Sequence, residues 1–88
     1  MESKNLWENC AKVLASKSDQ ELQFYLTRMF RWLQDMNWPG AYIIYNRLKE
    51  IPFENLETAY SIAQKIAIRT DDFSWKLALK EFKQDVLG

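Results

Sequence analysis

The chain contains no histidine. That absence excludes Ser-His and Cys-His nucleophile pairs, imidazole general bases and histidine-ligated metals. Cysteine occurs once, at Cys10, so neither an internal disulfide nor a cysteine-built structural zinc can form. Two glycines and two prolines are too few for a loop-rich or β-sandwich fold. An excess of one charge is missing as well, since 12 basic side chains meet 12 acidic ones. The balance holds along the chain, with seven basic and six acidic residues in 1–50 and five and six in 51–88. There is neither a basic arm nor an acidic tail, which disfavours nucleic acid as a partner, because nucleic acid calls for a basic face. No apolar run approaches the length of a membrane span. Met1-Glu2-Ser3-Lys4-Asn5 lacks the apolar segment of a signal peptide, and the expected compartment is the cytoplasm.

What is present is apolar residues at helical spacing and many aromatic rings, 15% of the 88 residues. Rings supply much buried area per residue, which matters in a domain this small. The expected fold is all-α: one domain over 1–88 with about five helices, near 4–15, 19–35, 39–50, 55–69 and 73–86. In the first, Leu6, Cys10, Val13 and Leu14 share a stripe with Trp7 beside it, and Cys10 reads as a small buried hydrophobe. Ser18-Asp19-Gln20-Glu21 matches a capping box and starts the second helix. There Leu22, Leu26, Met29, Leu33 and Met36 recur at spacings of four, three, four and three. Tyr25, Phe30 and Trp32 widen that seam to an arc that needs neighbours on two sides. Phe24 falls outside it, among Arg28, Arg31 and Asp35, as an exposed ring over an arginine or a contact for a partner.

Trp32-Leu33-Gln34-Asp35-Met36-Asn37-Trp38-Pro39-Gly40-Ala41 is the densest stretch. Pro39 suits a first helical position and pushes Trp38 out of helical backbone, so a corner between antiparallel helices is expected there. Asp35 and Asn37 can satisfy free backbone N–H groups at the turn. In the third helix Ala41, Ile44, Tyr45 and Leu48 should face inward, with Tyr42, Ile43 and Asn46 sideways or outward. The fourth helix is rich in alanine, which lets a neighbour approach closely. Asp72 or Ser74 caps the fifth, whose stripe is Trp75, Ala78, Leu79, Phe82 and Val86, with Lys76, Lys80 and Lys83 opposite.

The corner recurs 37 residues later: Asp35–Tyr45 lies over Asp72–Phe82, sharing Asp, an apolar residue, Asn or Ser, Trp, then Ala and an aromatic. A period of this size with two helices per unit belongs to the helical-repeat class. It implies two antiparallel hairpins stacked side by side, an α-α superhelix with the first helix over an open end. Asp71-Asp72-Phe73-Ser74-Trp75-Lys76-Leu77-Ala78 resembles the corner of a HEAT-type repeat. Trp32-Leu33-Gln34-Asp35-Met36-Asn37-Trp38-Pro39 resembles the signature of a small bacterial family catalogued as domain of unknown function 5071. The likeness runs over roughly residues 18–82, with Gly40 where a β-branched residue is expected. The resemblance implies a fold and a bacterial origin, and brings no activity.

The leading functional expectation is a non-catalytic protein-interaction module, with an immunity or antitoxin-like inhibitor of a toxin as its specific form. Its docking face would carry Tyr42, Ile43, Asn46 and Lys49 beside Lys76, Lys80 and Lys83, with Phe24 and Leu77 as further contacts. No cofactor is implied. One alternative is a carboxylate-based site for Mg²⁺ or Ca²⁺, in a binding protein or enzyme, if Asp35, Asp71 and Asp72 meet at one edge of the stack. Helix capping explains the same acids without a metal. Another is nucleic-acid binding through Lys76, Lys80, Lys83, Arg28 and Arg31, against which the zero net charge speaks. Phe73 and Leu77 lie off the fifth helix's stripe and offer a homodimer contact through that helix. Trp32, Asp35, Asn37, Trp38, Pro39, Asp72 and Trp75 are assigned structural roles, and a buried Trp38 would cost ~3–5 kcal/mol on truncation to alanine.

Overall fold

The computed structural model describes residues 2–87, with side chains from Trp7 to Leu87; Leu6, expected on the first helix's stripe, lies outside those side chains. The fold is all-α. Its helices are α1 (Glu2–Ala15), α2 (Asp19–Leu22), α3 (Leu26–Arg31), a 3₁₀ turn (Trp32–Gln34), α4 (Ala41–Lys49), α5 (Phe53–Arg69) and α6 (Phe73–Leu87). None is long and apolar enough to cross a membrane.

The capping box forms as the sequence implies. The Glu21 N–H donates to Ser18 Oγ at 3.2 Å and the Ser18 N–H to Glu21 Oε1 at 3.0 Å. The Ser18 N–H and then the Ser18 hydroxyl, both donating to Glu21 Oε1, hold the Glu21 carboxyl below its ordinary value. The single helix expected over 19–35 is instead three pieces. Tyr25 leaves helical backbone, at φ −117° and ψ 0°, and its N–H donates to Leu22 O, three residues back, at 2.8 Å. Two successive aromatics, Phe24 and Tyr25, give up rotamer freedom in a helix, which weakens it there. The seam survives the break, for Leu22, Leu26, Met29 and Leu33 are buried and Met36 is half-buried against the core.

The next helix begins at Ala41, not at Pro39. Two tight turns precede it: the Trp38 N–H donates to Asp35 O at 3.0 Å, and the Ala41 N–H to Trp38 O at 3.0 Å. The second carries Pro39 and then Gly40 at φ +84°, ψ −3°, the residues and geometry of a type II turn. Glycine is required at that point for another reason as well. A Cβ on Gly40 would stand 2.5 Å from the Ala11 Cβ, so no β-branched residue fits.

That close approach sets the face that α1 presents. Trp7, Ala11 and Leu14 turn toward α4 and the corner, while Cys10 is exposed and Val13 is 58% exposed. The expected stripe is therefore rotated, because only a small side chain such as Ala11 can meet Gly40. Arg47 of α4, 12% exposed, fastens the end of α1. Its guanidinium donates to Ala15 O at 3.1 Å, Lys17 O at 2.9 Å and Asp19 Oδ1 at 2.6 Å.

α5 ends in a Schellman motif. Asp71 takes the left-handed position at φ +53°, its N–H donates to Ile68 O at 3.1 Å, and the Asp72 N–H donates to Ala67 O at 2.9 Å. Asp72 then caps α6 by accepting from the Trp75 N–H at 3.1 Å. α3 packs on α5, where Ala59, Ala63 and Ala67 are buried and leave room for it. Phe30 lies in the core, edge-on to Tyr60 at 5.7 Å and Phe82 at 5.4 Å. The buried Trp75 indole donates to Phe30 O at 2.9 Å, and the Tyr60 hydroxyl to Leu79 O at 2.8 Å. Among the described residues, no buried side-chain polar atom lacks a partner.

Candidate functional site

Three tryptophans meet at the outer side of the first corner. Trp32 stands on the 3₁₀ turn, half-buried, with its indole N–H donating to Pro39 O at 3.3 Å. Trp38 is held outside helical backbone by Pro39 and is half-buried. Trp7 comes from α1 and sits edge-on to both, 5.9 Å from Trp32 and 5.3 Å from Trp38 between ring centroids. Such edge-to-face contacts are the favoured arrangement of aromatic pairs. Together with Cys10, Gln34, Arg28 and Arg31 the three rings line a groove of about 510 Å³.

Arg28 and Arg31 are three apart on α3, so they project from the same side of the helix. Both are exposed, and among the described residues neither pairs with a carboxylate. Among the described residues, no acidic side chain lines the groove. An aromatic floor with two guanidinium groups at its lip can hold an apolar body and an anion side by side.

The acids expected at a common edge serve separate local purposes. Asp35 Oδ1 accepts from the Asn37 N–H at 2.9 Å, and Asn37 itself is exposed. Asp71 closes α5, and its carboxylate accepts from Lys76 Nζ at 2.9 Å. That hydrogen bond, together with the lysine charge, holds the Asp71 carboxyl below its ordinary value. Asp72 caps α6 and also accepts from Gln34 Nε2 at 3.4 Å. Among the described residues no three cysteine, aspartate or glutamate side chains are grouped to hold a metal ion.

The docking face expected across the third and fifth helices is divided in two. Lys76, Lys80 and Lys83 turn toward α5, where they line a groove of about 720 Å³ with Tyr60, Gln64 and Ile68. Lys83 Nζ lies 5.8 Å from the Tyr60 ring centroid. The side of α6 that meets α4 carries Asp85, which accepts from the Tyr45 hydroxyl. Burial, then that bond and the nearby acids Asp85 and Glu81, pushes the Tyr45 hydroxyl pKa well above its ordinary value. Burial likewise raises that of Tyr60. Tyr42 and Asn46 are exposed on α4, while Ile43 is half-buried against the core. Phe24 is 88% exposed, and Phe73 and Leu77 are exposed one turn apart on α6.

Sequence reasoning reached Trp32 and Trp38 but assigned them to packing alone. It missed Trp7, Cys10 and Gln34 as their neighbours and placed Arg28 and Arg31 around Phe24. The available signal was Trp7 itself, a large ring beside the stripe of α1.

A family model described as Domain of unknown function (DUF5071) matches residues 7–87. No curated protein matches the chain, and no solved structure does.

Proposed function

The chain belongs to that family, and we propose that it is a non-catalytic protein-interaction module whose docking site is the groove of Trp7, Trp32 and Trp38. The observation that carries this reading is the composition of the groove: three tryptophans and two arginines. These are the side chains that dominate interface energetics when gathered at one place. The packing of α3 on α5 and of α4 on α6 supports two stacked, HEAT-like hairpins, an architecture suited to display such a surface. Inhibition of a toxin is the specific form of interaction we favour for a chain of this size.

The test is capture from an extract of the source organism. The parent chain should retain a partner that Arg28→Glu/Arg31→Glu loses and Lys80→Glu keeps. Equal capture by the parent and the double variant would place the interface elsewhere and remove the groove. A second reading, self-association through α6, is favoured by the exposure of Phe73 and Leu77. Sedimentation of Leu77→Glu beside the parent decides it, since monomer mass in both ends that reading.

A further inference from the structure

The groove also points to the chemistry of what it binds. We infer that it receives an extended acidic segment of a partner protein, with one apolar side chain seated among the tryptophans and carboxylates flanking it on Arg28 and Arg31. This rests on the interaction reading above and narrows it.

Three observations support the inference. The first is charge. Among the described residues, the groove presents two exposed guanidinium groups and no carboxylate, in a chain whose formal net charge is zero. Unpaired arginines around an aromatic surface are complementary to carboxylates, which they bind in a two-pronged geometry. The second is shape. Its volume, about 510 Å³, is within the range of small-molecule sites, but those enclose most of their ligand. This groove lies open between α1, α3 and the corner, so a compact ligand would keep one side in water. A chain running through it would not need enclosure. The third is spacing. Side chains three apart on a helix stand ~5–6 Å from each other. Alternate residues of an extended strand are ~6.6 Å apart on one side. Two acids separated by one residue therefore match the two arginines.

Single-stranded nucleic acid also combines stacking with cations, but it is followed by a row of positive groups. Here there are two among the described residues, and the lysines of α6 open onto a different groove.

The experiment is selection from a random peptide library, about a dozen residues long, displayed on phage. It is panned on the parent chain and counter-selected on Arg28→Glu/Arg31→Glu. Both arginines are exposed, and a thermal melt confirms that the variant folds; Arg28→Gln/Arg31→Gln serves if it does not. The expected result is enrichment of peptides with Asp or Glu at alternate positions beside Leu, Phe or Trp. Labelled copies of these peptides should bind the double variant at least about tenfold more weakly, a loss of one decade in Kd. Trp7→Ala should weaken them too, and lysine-for-acid copies should recover binding to the glutamate variant. Enrichment of neutral or basic peptides, equal binding to parent and variant, or no enrichment would overturn the inference. So would tighter binding of labelled oligothymidine that is lost in the same variant. If the partner captured from extract still depends on the arginines while selected peptides are not acidic, only this inference falls. If capture ignores the arginines, the parent reading falls with it.

Discussion

The two corners of this protein carry the same pattern of residues and use it differently. At Asp72–Phe82 the pattern is a helix start. Asp72 caps, the Lys76 N–H donates to Asp72 O at 2.9 Å, and Trp75 goes into the core. At Asp35–Tyr45 the residue equivalent to Lys76 is Pro39, which has no N–H to give. The Trp38 N–H takes the Asp35 carbonyl instead, the chain makes two turns, and helix begins only at Ala41. Trp38 is left half-exposed beside Trp7. One residue thus separates a tryptophan buried in the core from one left half-exposed in the groove. A residue pattern that recurs in sequence does not by itself give each side chain the same role.

The largest expected difference is between those two rings. Trp75→Ala removes a buried indole and its hydrogen bond to the Phe30 carbonyl, and should cost ~3–5 kcal/mol. Trp38→Ala removes a half-buried ring and should cost about 1–2 kcal/mol by area, less than a fully buried ring would. Urea unfolding of both variants measures the gap. Equal costs would mean that the corners are equivalent after all.

Gly40 and Leu77 occupy matching positions of the two corner patterns, and substitution of each by alanine sharpens the contrast. At Gly40 the left-handed backbone costs ~1–2 kcal/mol for a side chain, and overpacking against Ala11 adds ~1–3 kcal/mol. At Leu77 the side chain is exposed on a regular helix, and the change should stay within about 0.5 kcal/mol. Thermal melts that rank the two in the opposite order would show that α1 does not lie against Gly40.

What was legible in the sequence was local. The capping box at Ser18, the seam from Leu22 to Leu33 and the cap at Asp72 each need only a few neighbouring residues. Pro39 misled because Pro-Gly serves equally as a helix start and as a type II turn, and the choice depends on the chain that crosses Gly40. The face of α1 was hidden for the same reason: Ala11 outranks Cys10 and Val13 only once α1 is known to touch Gly40. Arg47 gave little signal, since two of its acceptors are backbone carbonyls of Ala15 and Lys17, which any residue supplies, and its partner Asp19 lies far off along the chain. Part of the groove, Trp32 and Trp38, was in view because both lie in one stretch. Trp7 and the two arginines arrive from separate helices.

The capping acids should differ by less than the tryptophans. Asp72→Ala removes a true N-cap and the acceptor for Gln34, and should cost about 1–2 kcal/mol. Asp35→Ala removes one hydrogen bond within a turn, at about 0.5 kcal/mol. Asn at either position keeps the acceptor and should restore most of the loss. Chemical denaturation of the four variants checks the ranking; a costlier Asp35 would make the first corner the more tightly capped.

Tyr45 and Phe82 are the last matched pair, and they touch, edge to face at 5.4 Å between ring centroids. They differ by the hydroxyl that reaches Asp85. Because Asp85 is exposed and can turn to water, Tyr45→Phe at neutral pH should cost only about 0.5–1 kcal/mol. The pH dependence is the more telling readout. The Tyr45 hydroxyl has a raised value in the folded chain, held there by burial and then by the bond to Asp85. Below the unfolded tyrosine value, near 10, both states are neutral and the contribution of Tyr45 is fully present. As pH rises past that value the unfolded chain ionises while the folded one does not, so the contribution is lost upward toward the folded value. Tyr60 is shifted the same way and declines in parent and variant alike. The stability gap between parent and Tyr45→Phe should therefore shrink, then close or invert, between neutral pH and alkaline pH above 10. A gap that stays constant across that range would mean that Tyr45 ionises as easily in the folded chain as in the unfolded one, and that α4 and α6 do not bury it between them.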